Sequence, residues 1–299
     1  MDRRAFVSAL VAAASLPARA AEPLRRAVPK TGELLPVIGM GTWRTFDVGD
    51  NVVERAGRRA VLERFFGAGG GVIDSSPMYG RAERLLGDLL SEMRPQADHA
   101  GKLFAATKVW TAFARVGPTQ MAESLRLWKL PRFDLMQIHN LLAWRSHVKA
   151  VRAGKDERRW RYIGVTTSHG NKHDEMATAL ASEPWDFMQI TYNLADTSAE
   201  PLMLRAAESG IAVIINRPFD GGLLFNRAGA RPLPPWAGEI GCANWAQFFL
   251  KWVVSHPAVT CAIPATTNPA HMIENMGARF PPLPDAALRR KMQEAVKAL

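Results

Sequence analysis

The stretch Gly71-Val72-Ile73-Asp74-Ser75-Ser76-Pro77-Met78-Tyr79 joins a short apolar run to two ionisable side chains. The apolar run has the character of a short buried strand, as found in parallel sheets. Asp74 lies where this strand ends, and Tyr79 lies in the loop that leaves it. Polar groups at the carboxyl end of a buried strand are typical of the sites of α/β proteins. The stretch therefore predicts one wall of a functional pocket.

Two later apolar runs end in the same way. Residues 103–107 precede Lys108, and residues 133–138 precede His139. Neighbouring parallel strands bring their carboxyl ends together at one edge of a sheet. We therefore expect these two side chains to converge with the carboxylate and the phenol of the first stretch, which predicts an enzyme. Taken alone, each of these residues is equally compatible with an ordinary structural role: the aspartate as a helix cap, the histidine as a core residue and the lysine as an exposed charge.

Short apolar runs and helix-like periodic segments alternate eight times along the chain. The predicted strands are residues 35–43, 71–74, 103–109, 133–138, 162–165, 187–190, 211–215 and 259–263. The predicted helices of these repeats are residues 52–66, 82–93, 118–128, 146–154, 174–182, 201–209, 245–255 and 269–276, and a terminal helix over residues 285–298 completes the chain. Eight such repeats in about 250 residues are typical of a single-domain (β/α)₈ TIM barrel, an α/β fold. A doubly wound open sheet is disfavoured, because no G-x-G-x-x-G motif follows the first strand.

The first twenty residues differ from the rest in composition. Arg3-Arg4 precedes an apolar stretch over residues 6–16, and Ala18-Arg19-Ala20 supplies small residues for a cleavage site. The pattern resembles a twin-arginine export signal. It predicts a signal peptide over residues 1–20, a barrel over residues 21–299 and a periplasmic location. The alternative is a basic first helix that belongs to the domain.

The composition is that of an ordinary globular protein, with 47% hydrophobic and 22% charged residues. Its formal charge of +10 is interleaved with acidic residues, which favours a solvated surface and predicts no nucleic-acid partner. No apolar run approaches the roughly 20 residues of a transmembrane helix, so no integral membrane segment is expected after signal removal. Cys242 and Cys261 give no zinc-binding spacing, and no metal is predicted. A disulfide between them remains open, a buried inert thiol is favoured for Cys261, and a monomer is expected.

Several stretches, in sequence order over residues 38–275, resemble the aldo-keto reductase family. They are Gly39-Met40-Gly41-Thr42-Trp43, residues 71–80, Glu83, Gly87, Thr107-Lys108, residues 134–140, Ile163-Gly164-Val165, residues 189–193, Arg217-Pro218-Phe219, residues 221–224, Ile263-Pro264 and Glu274-Asn275. Each stretch alone has little specificity, whereas the combination is specific. The resemblance implies a (β/α)₈ barrel and an NAD(P)H-dependent oxidoreductase. Its expected substrate is a small-molecule aldehyde or ketone, which is reduced to an alcohol.

The four ionisable residues suit the reduction of a carbonyl group, which needs a hydride on carbon and a proton on oxygen. A nicotinamide cofactor supplies the hydride, since no side chain can. Tyr79 is the expected proton donor, and a nearby Lys108 ammonium is expected to lower the pKa of the phenol from about 10. Asp74 is expected to anchor Lys108, and His139 to hydrogen-bond the carbonyl oxygen. The resemblance implies the same four roles.

The resemblance also implies a set of cofactor-binding residues that departs in places from the family pattern. The set is Gly41, Thr42, Trp43, Thr166, Thr167, Gln189, Asn216, Arg217, Pro218, Phe219, Thr266, His271, Glu274 and Asn275. Thr166-Thr167 stands where a Ser-Asn pair usually holds the nicotinamide carboxamide, and Asn216 stands where an aromatic ring usually stacks. Ala265 and His271 replace two cations associated with a 2′-phosphate. We expect NADPH as the cofactor, with NADH as the alternative.

Two other functions are compatible with parts of the sequence. A non-catalytic nucleotide-binding sensor or accessory protein of the same fold would explain the altered cofactor contacts. An unrelated barrel hydrolase is disfavoured, because paired catalytic carboxylates at strand ends are lacking. Trp43, Trp110, Phe113 and Trp144 follow strand ends, where they either wall an apolar substrate pocket or pack as ordinary large residues.

Overall fold

The computed structural model describes residues 22–93 and 103–299, and the predicted signal over residues 1–20 lies outside them. The strands are β1 (Arg25–Ala27), β2 (Leu34–Pro36), β3 (Met40–Gly41), β4 (Val72–Asp74), β5 (Phe104–Val109), β6 (Phe133–Ile138), β7 (Trp160–Thr166), β8 (Phe187–Thr191), β9 (Ala212–Asn216) and β10 (Cys261–Ala262). The helices are α1 (Val52–Gly67), α2 (Ala82–Met93), α3 (Gly117–Trp128), α4 (Trp144–Asp156), α5 (His173–Ser182), α6 (Glu200–Glu208), α7 (Leu223–Ala228), α8 (Trp245–Val254), α9 (Pro269–Gly277) and α10 (Ala286–Lys297). None of the helices in these two ranges is both long and apolar enough to cross a bilayer.

Strands β3 to β10 form one parallel sheet whose spatial order follows the chain. A parallel bridge between Ile38 and Ala262 joins the first strand segment to the last. The amide of Gly39 donates to the carbonyl of Ala262 at 2.8 Å, which adds a second contact across the same seam. Helices follow the strands in alternation, so the predicted (β/α)₈ barrel is confirmed.

The first predicted strand, residues 35–43, is divided in the structure. Leu34–Pro36 pairs antiparallel with Arg25–Ala27 in a hairpin, and the barrel strand is Met40–Gly41. A Cβ atom on Gly39 would lie 2.9 Å from the carbonyl oxygen of Val72, so the chain enters the barrel wall where only glycine fits. An apolar run alone does not distinguish a hairpin strand from the barrel strand that follows it.

Strand register sets the height of each polar side chain at the carboxyl end of the barrel. Asp74 lies opposite Ala106 on β5, and Lys108 lies opposite Gln137 on β6. Gly164 on β7 faces Gln137, and a Cβ atom there would lie 3.2 Å from its Cγ. The missing side chain therefore leaves room for an amide group inside the barrel.

Large apolar side chains fill the layer between the strands and the surrounding helices. Trp128, Phe133, Trp160 and Phe248 are among the fully buried residues of this layer. Such a packed layer holds the strand ends rigidly, which suits a site that needs fixed geometry. Cys242 and Cys261 are both buried free thiols.

Candidate active site

A cavity of about 380 Å³ opens at the carboxyl ends of the barrel strands. Its walls come from the ends of β3, β4 and β6 to β10 and from the loops that follow them. The lining residues are Gly41, Thr42, Trp43, Arg44, Thr45, Asp74, Met78, Tyr79, His139, Asn140, Thr166, Ser168, His169, Gln189, Asn216, Arg217, Pro218, Phe219, Gly221, Gly222, Phe225, Ile263 and Ala265. This is the position that the strand-end residues predict.

A buried ion pair joins Asp74, which lines the cavity, to Lys108, which does not. Lys108 Nζ donates to Asp74 Oδ2 at 2.5 Å and to the carbonyl oxygen of Ser75 at 2.8 Å. Burial opposes the positive charge of Lys108, but Asp74 and the neighbouring Tyr79 outweigh it, and the pKa of Lys108 is raised. The lysine is therefore held as an ammonium ion beside the phenol.

Two glutamines complete the hydrogen bonding of Asp74. Gln137 Nε2 and Gln189 Nε2 each donate to Asp74 Oδ1 at 2.9 Å. Gln189 also donates to Gln137 Oε1 at 3.2 Å, which ties the two amides together. Asp74 thus accepts three hydrogen bonds from buried donors, which fix the position of its carboxylate beside Lys108. Gln137 was not singled out from the sequence, because it lies within an apolar run.

Tyr79 lies at the cavity floor between the lysine and the histidine. Lys108 Nζ lies 5.0 Å from the centroid of the Tyr79 ring, and the His139 ring meets it edge-on at 5.6 Å. Burial raises the pKa of Tyr79, Lys108 lowers it, and Asp74 raises it, so that the pKa lies above the usual value. Lys108 lowers the pKa of Tyr79 as expected, but the other two effects outweigh it and the net shift is upward. Tyr79 therefore keeps its proton at neutral pH.

His139 is a neutral imidazole in this site. Burial and the charge of Lys108 lower its pKa to about 2. Ser76 Oγ lies 2.9 Å from His139 Nδ1, and His139 lines the cavity whereas Ser76 does not. A neutral imidazole has one donor and one acceptor nitrogen, so it can donate one hydrogen bond to an oxygen atom in the cavity.

The strand ends opposite the tetrad carry hydroxyl and amide groups. Thr166 Oγ1 accepts from the amide of Asn140 at 3.0 Å, which leaves its own hydrogen for another acceptor. Asn216 Nδ2 donates to the carbonyl of Thr167 at 2.8 Å and to Gln189 Oε1 at 3.4 Å. Asn216 therefore belongs to the same hydrogen-bonded group as Gln189 and, through it, Asp74.

Two arginines and a histidine surround Trp43 at the cavity mouth. The guanidinium carbon of Arg44 lies 4.4 Å from the Trp43 ring centroid and that of Arg217 lies 5.8 Å from it. Arg217 Nη1 donates to His169 Nε2 at 3.1 Å, and Arg217 Nη2 lies 3.4 Å from Asp220 Oδ1. Burial and the charge of Arg217 lower the pKa of His169, so it is a neutral acceptor. Arg217 Nε is buried and has no hydrogen-bond partner among the described residues.

The structure separates the predicted residues into two groups. All four ionisable residues meet at the site, although Lys108 lies beneath the cavity rather than in its wall. The predicted residues outside the described lining are Thr167, Thr266, His271, Glu274 and Asn275. Thr266 and Asn268 form the cap of α9, where Asn268 Oδ1 accepts from the amide of Ala270 at 2.8 Å. The structure therefore brings the predicted nicotinamide end together but leaves the predicted adenine end outside the cavity.

Some residues of the site were missed or assigned too broadly from the sequence. His169, Ser168 and Asn140 line the cavity, although none of them was assigned a role from the sequence. Asn140 lies in the family-like stretch over residues 134–140, whereas Ser168 and His169 are marked only by their place in the loop after β7. Of the four aromatic residues offered as pocket walls, Trp43 lines the cavity. Trp144 is buried in the core, while Trp110 and Phe113 are exposed outside the described lining.

Comparison with known proteins adds a family and a fold. The model of the aldo/keto reductase family matches residues 37–293. An uncharacterized oxidoreductase of Mycobacterium tuberculosis is 25% identical over 273 residues, covering 81% of this chain and 83% of the relative. An aldo-keto reductase from Bacillus halodurans in its holo form has a TM-score of 0.73 at 17% identity, covering 92% of this chain and 96% of that one. An aldo/keto reductase from Klebsiella pneumoniae, in complex with NADP and acetate, has a TM-score of 0.71 at 22% identity, covering 89% and 93%. The structural likenesses show the barrel fold.

Proposed function

We propose a specific reaction for this chain, which belongs to the aldo/keto reductase family: it reduces an aldehyde or ketone to an alcohol with NADPH. The observation that carries the proposal is the position of Tyr79, on the cavity floor beside the buried Asp74–Lys108 pair. A protonated phenol next to a fixed ammonium ion is suited to give a proton to a developing alkoxide.

The side chains of this site account for the oxygen end of the reaction. Tyr79 donates its proton to the carbonyl oxygen, and the Lys108 ammonium stabilises the tyrosinate that remains. Asp74 keeps Lys108 charged and in place through the contact at 2.5 Å. His139, neutral and within the cavity wall, donates a hydrogen bond to the same oxygen and polarises the carbonyl. The carbonyl oxygen thus receives a proton from Tyr79 and a hydrogen bond from His139.

The polar groups of the opposite wall fit a nicotinamide nucleotide. Thr166 and Gln189 both line the cavity, and the free hydroxyl hydrogen of Thr166 and the remaining lone pair of Gln189 Oε1 suit a carboxamide group. Arg217, whose guanidinium lies at the cavity mouth, suits a phosphate oxygen. The bound nicotinamide supplies the hydride. NADPH is preferred here because the Klebsiella pneumoniae neighbours were crystallised with NADP and with NADPH.

Consumption of NADPH in the presence of aldehydes, ketones and quinones tests the proposal. We expect Tyr79→Phe to lower kcat by about 10²- to 10⁴-fold, the usual contribution of a positioned acid. Tyr162→Phe is the matched control, since Tyr162 donates to Glu33 Oε2 in the region of the β1–β2 hairpin. Fluorescence of bound NADPH separates the alternatives. Binding with no turnover above the Tyr79→Phe background would favour a nucleotide-binding sensor instead.

We further propose that the protein is exported to the periplasm in folded form. The support is the sequence Arg3-Arg4 before the apolar stretch over residues 6–16. Export of a folded barrel would allow the cofactor to bind before transport. Lys substitution of both Arg3 and Arg4 should leave the protein in the cytoplasm, as detected by cell fractionation. A mature protein that still begins at Met1 in the periplasmic fraction would contradict cleavage after Ala20.

A further inference from the structure

We infer that Ser76 is a positioning residue for the proposed reaction: it donates its hydroxyl hydrogen to His139 Nδ1 and fixes the imidazole as the Nε2–H tautomer. Ser76 Oγ lies 2.9 Å from His139 Nδ1, and both side chains are buried. The inference rests on the proposed function only for its consequence, which is that His139 presents a donor to the carbonyl oxygen. The tautomer itself is a property of the protein without cofactor or substrate.

The hydrogen bonds available to Ser76 Oγ decide whether it donates to His139 Nδ1 or accepts from it. Ser76 Oγ already accepts from the amide of Met78 at 3.1 Å. If His139 Nδ1 also carried a hydrogen, Oγ would accept twice and its own hydrogen would need another acceptor. The described residues provide none, and an unmade hydrogen bond in a buried hydroxyl is costly. With the hydrogen of Ser76 on the Nδ1 lone pair, all of these groups are satisfied.

The state of His139 makes this choice consequential. The imidazole is neutral, because burial and Lys108 disfavour the imidazolium. A neutral imidazole with a free choice of tautomer would present either a donor or a lone pair to the cavity. Only the Nε2–H form donates to a carbonyl oxygen, and the lone-pair form would repel it. Ser76 therefore removes the unproductive tautomer.

The same loop delivers both groups that act on the carbonyl oxygen. The amide of Tyr79 donates to the carbonyl of Ser76 at 2.9 Å, which forms a tight turn between the two residues. The Met78 amide contact with Ser76 Oγ braces this turn from the side-chain end. Rotation of Ser76 away from His139 would therefore break a turn contact as well. The serine that selects the tautomer is held by the turn that positions the phenol.

Nitrogen NMR of the imidazole groups tests the inference directly. In the ¹⁵N-labelled full chain, two-bond proton–nitrogen correlations distinguish the Nε2–H from the Nδ1–H tautomer, and loss of one signal set in His139→Gln assigns His139. We expect the Nε2–H pattern in the wild type and a mixture or the Nδ1–H pattern in Ser76→Ala. Ser75→Ala is the matched control, because Ser75 Oγ accepts from Thr42 and makes no hydrogen bond to His139 among the described residues. An Nδ1–H wild type, or an unchanged pattern in Ser76→Ala, would overturn the inference.

Steady-state kinetics adds a functional readout that a merely structural role would not give. Ser76→Ala should lower kcat about tenfold, the value of one neutral hydrogen bond, and leave the KM for NADPH unchanged. Ser76→Thr keeps a hydroxyl and should recover both the tautomer and most of kcat. Equal losses in kcat, NADPH affinity and thermal stability would point to a packing defect and reject the positioning role. Because the NMR result needs no turnover, it stands even if the proposed reductase activity fails.

Discussion

Lys108 Nζ lies 2.5 Å from Asp74 Oδ2, and both side chains are almost fully removed from solvent. Removal of two charges from water is costly, and their attraction repays it only when the remaining lone pairs and hydrogens are satisfied. Here the carbonyl of Ser75 takes a second hydrogen of the ammonium, and Gln137 and Gln189 satisfy the other carboxylate oxygen. The ion pair thus belongs to a hydrogen-bonded network, and all members of the network are needed to offset the desolvation of the two charges.

Breaking the pair at one end should destabilise the barrel more than removing both ends. Asp74→Asn leaves a buried ammonium without its counter-charge and should lower the free energy of unfolding by about 3 kcal/mol. The double variant Asp74→Asn/Lys108→Met should recover part of this loss, while all of these variants lose reductase activity. Urea unfolding followed by circular dichroism measures the cycle. A loss below about 1 kcal/mol in Asp74→Asn would show that the lysine is not held as an ion.

Gln137 should affect activity through Asp74, because it does not itself line the cavity and its amide donates to the Asp74 carboxylate. Gln137→Met removes one donor from the Asp74 carboxylate and should cost about 1–3 kcal/mol of stability. Since Asp74 loses one of the hydrogen bonds that hold it against Lys108, kcat should fall while the KM for NADPH stays constant. Gln120→Met is a control that removes an amide from an exposed loop contact with Trp110. An equal loss of kcat in both variants would argue against a specific role for Gln137.

Features that depend on neighbouring residues in the sequence could be predicted, whereas contacts between distant parts of the chain could not. The eight barrel strands could be located because each lies within a short apolar run. Asp74, Lys108 and His139 could be singled out because they end or directly follow such runs, and Tyr79 because it lies in the loop after the first of them. The roles of Ser76 and Gln137 could not be predicted, because they depend on which atom lies opposite in the folded barrel. The pairing of His169 with Arg217 depends on two loops that meet only because β7 and β9 both flank β8.

Acid should destabilise the native protein through His139. The pKa of this residue is about 2 in the folded state and near 6.5 when unfolded. Between these values the unfolded chain binds a proton that the native state does not, so stability falls as pH drops below 6.5. The loss is roughly 1 kcal/mol per pH unit for this one group and is absent above pH 7. Urea midpoints of wild type and His139→Gln measured from pH 7 to pH 5 should diverge in this direction. Parallel curves would show that His139 is protonated in the native state.

Arg217 should set the affinity for the nucleotide through its place at the cavity mouth. Its guanidinium is held by His169 and Asp220, while Nε remains buried and unpartnered among the described residues. A charge-assisted hydrogen bond to a phosphate oxygen is worth about 2 kcal/mol, so Arg217→Met should weaken NADPH binding roughly 10- to 30-fold. Arg145→Met is the matched control, because Arg145 lies over Trp144 at 4.3 Å outside the described cavity lining. Fluorescence titration of NADPH at two salt concentrations measures both variants. An Arg217 variant with wild-type affinity and wild-type salt dependence would mean that this guanidinium does not contact the cofactor and only braces the loop.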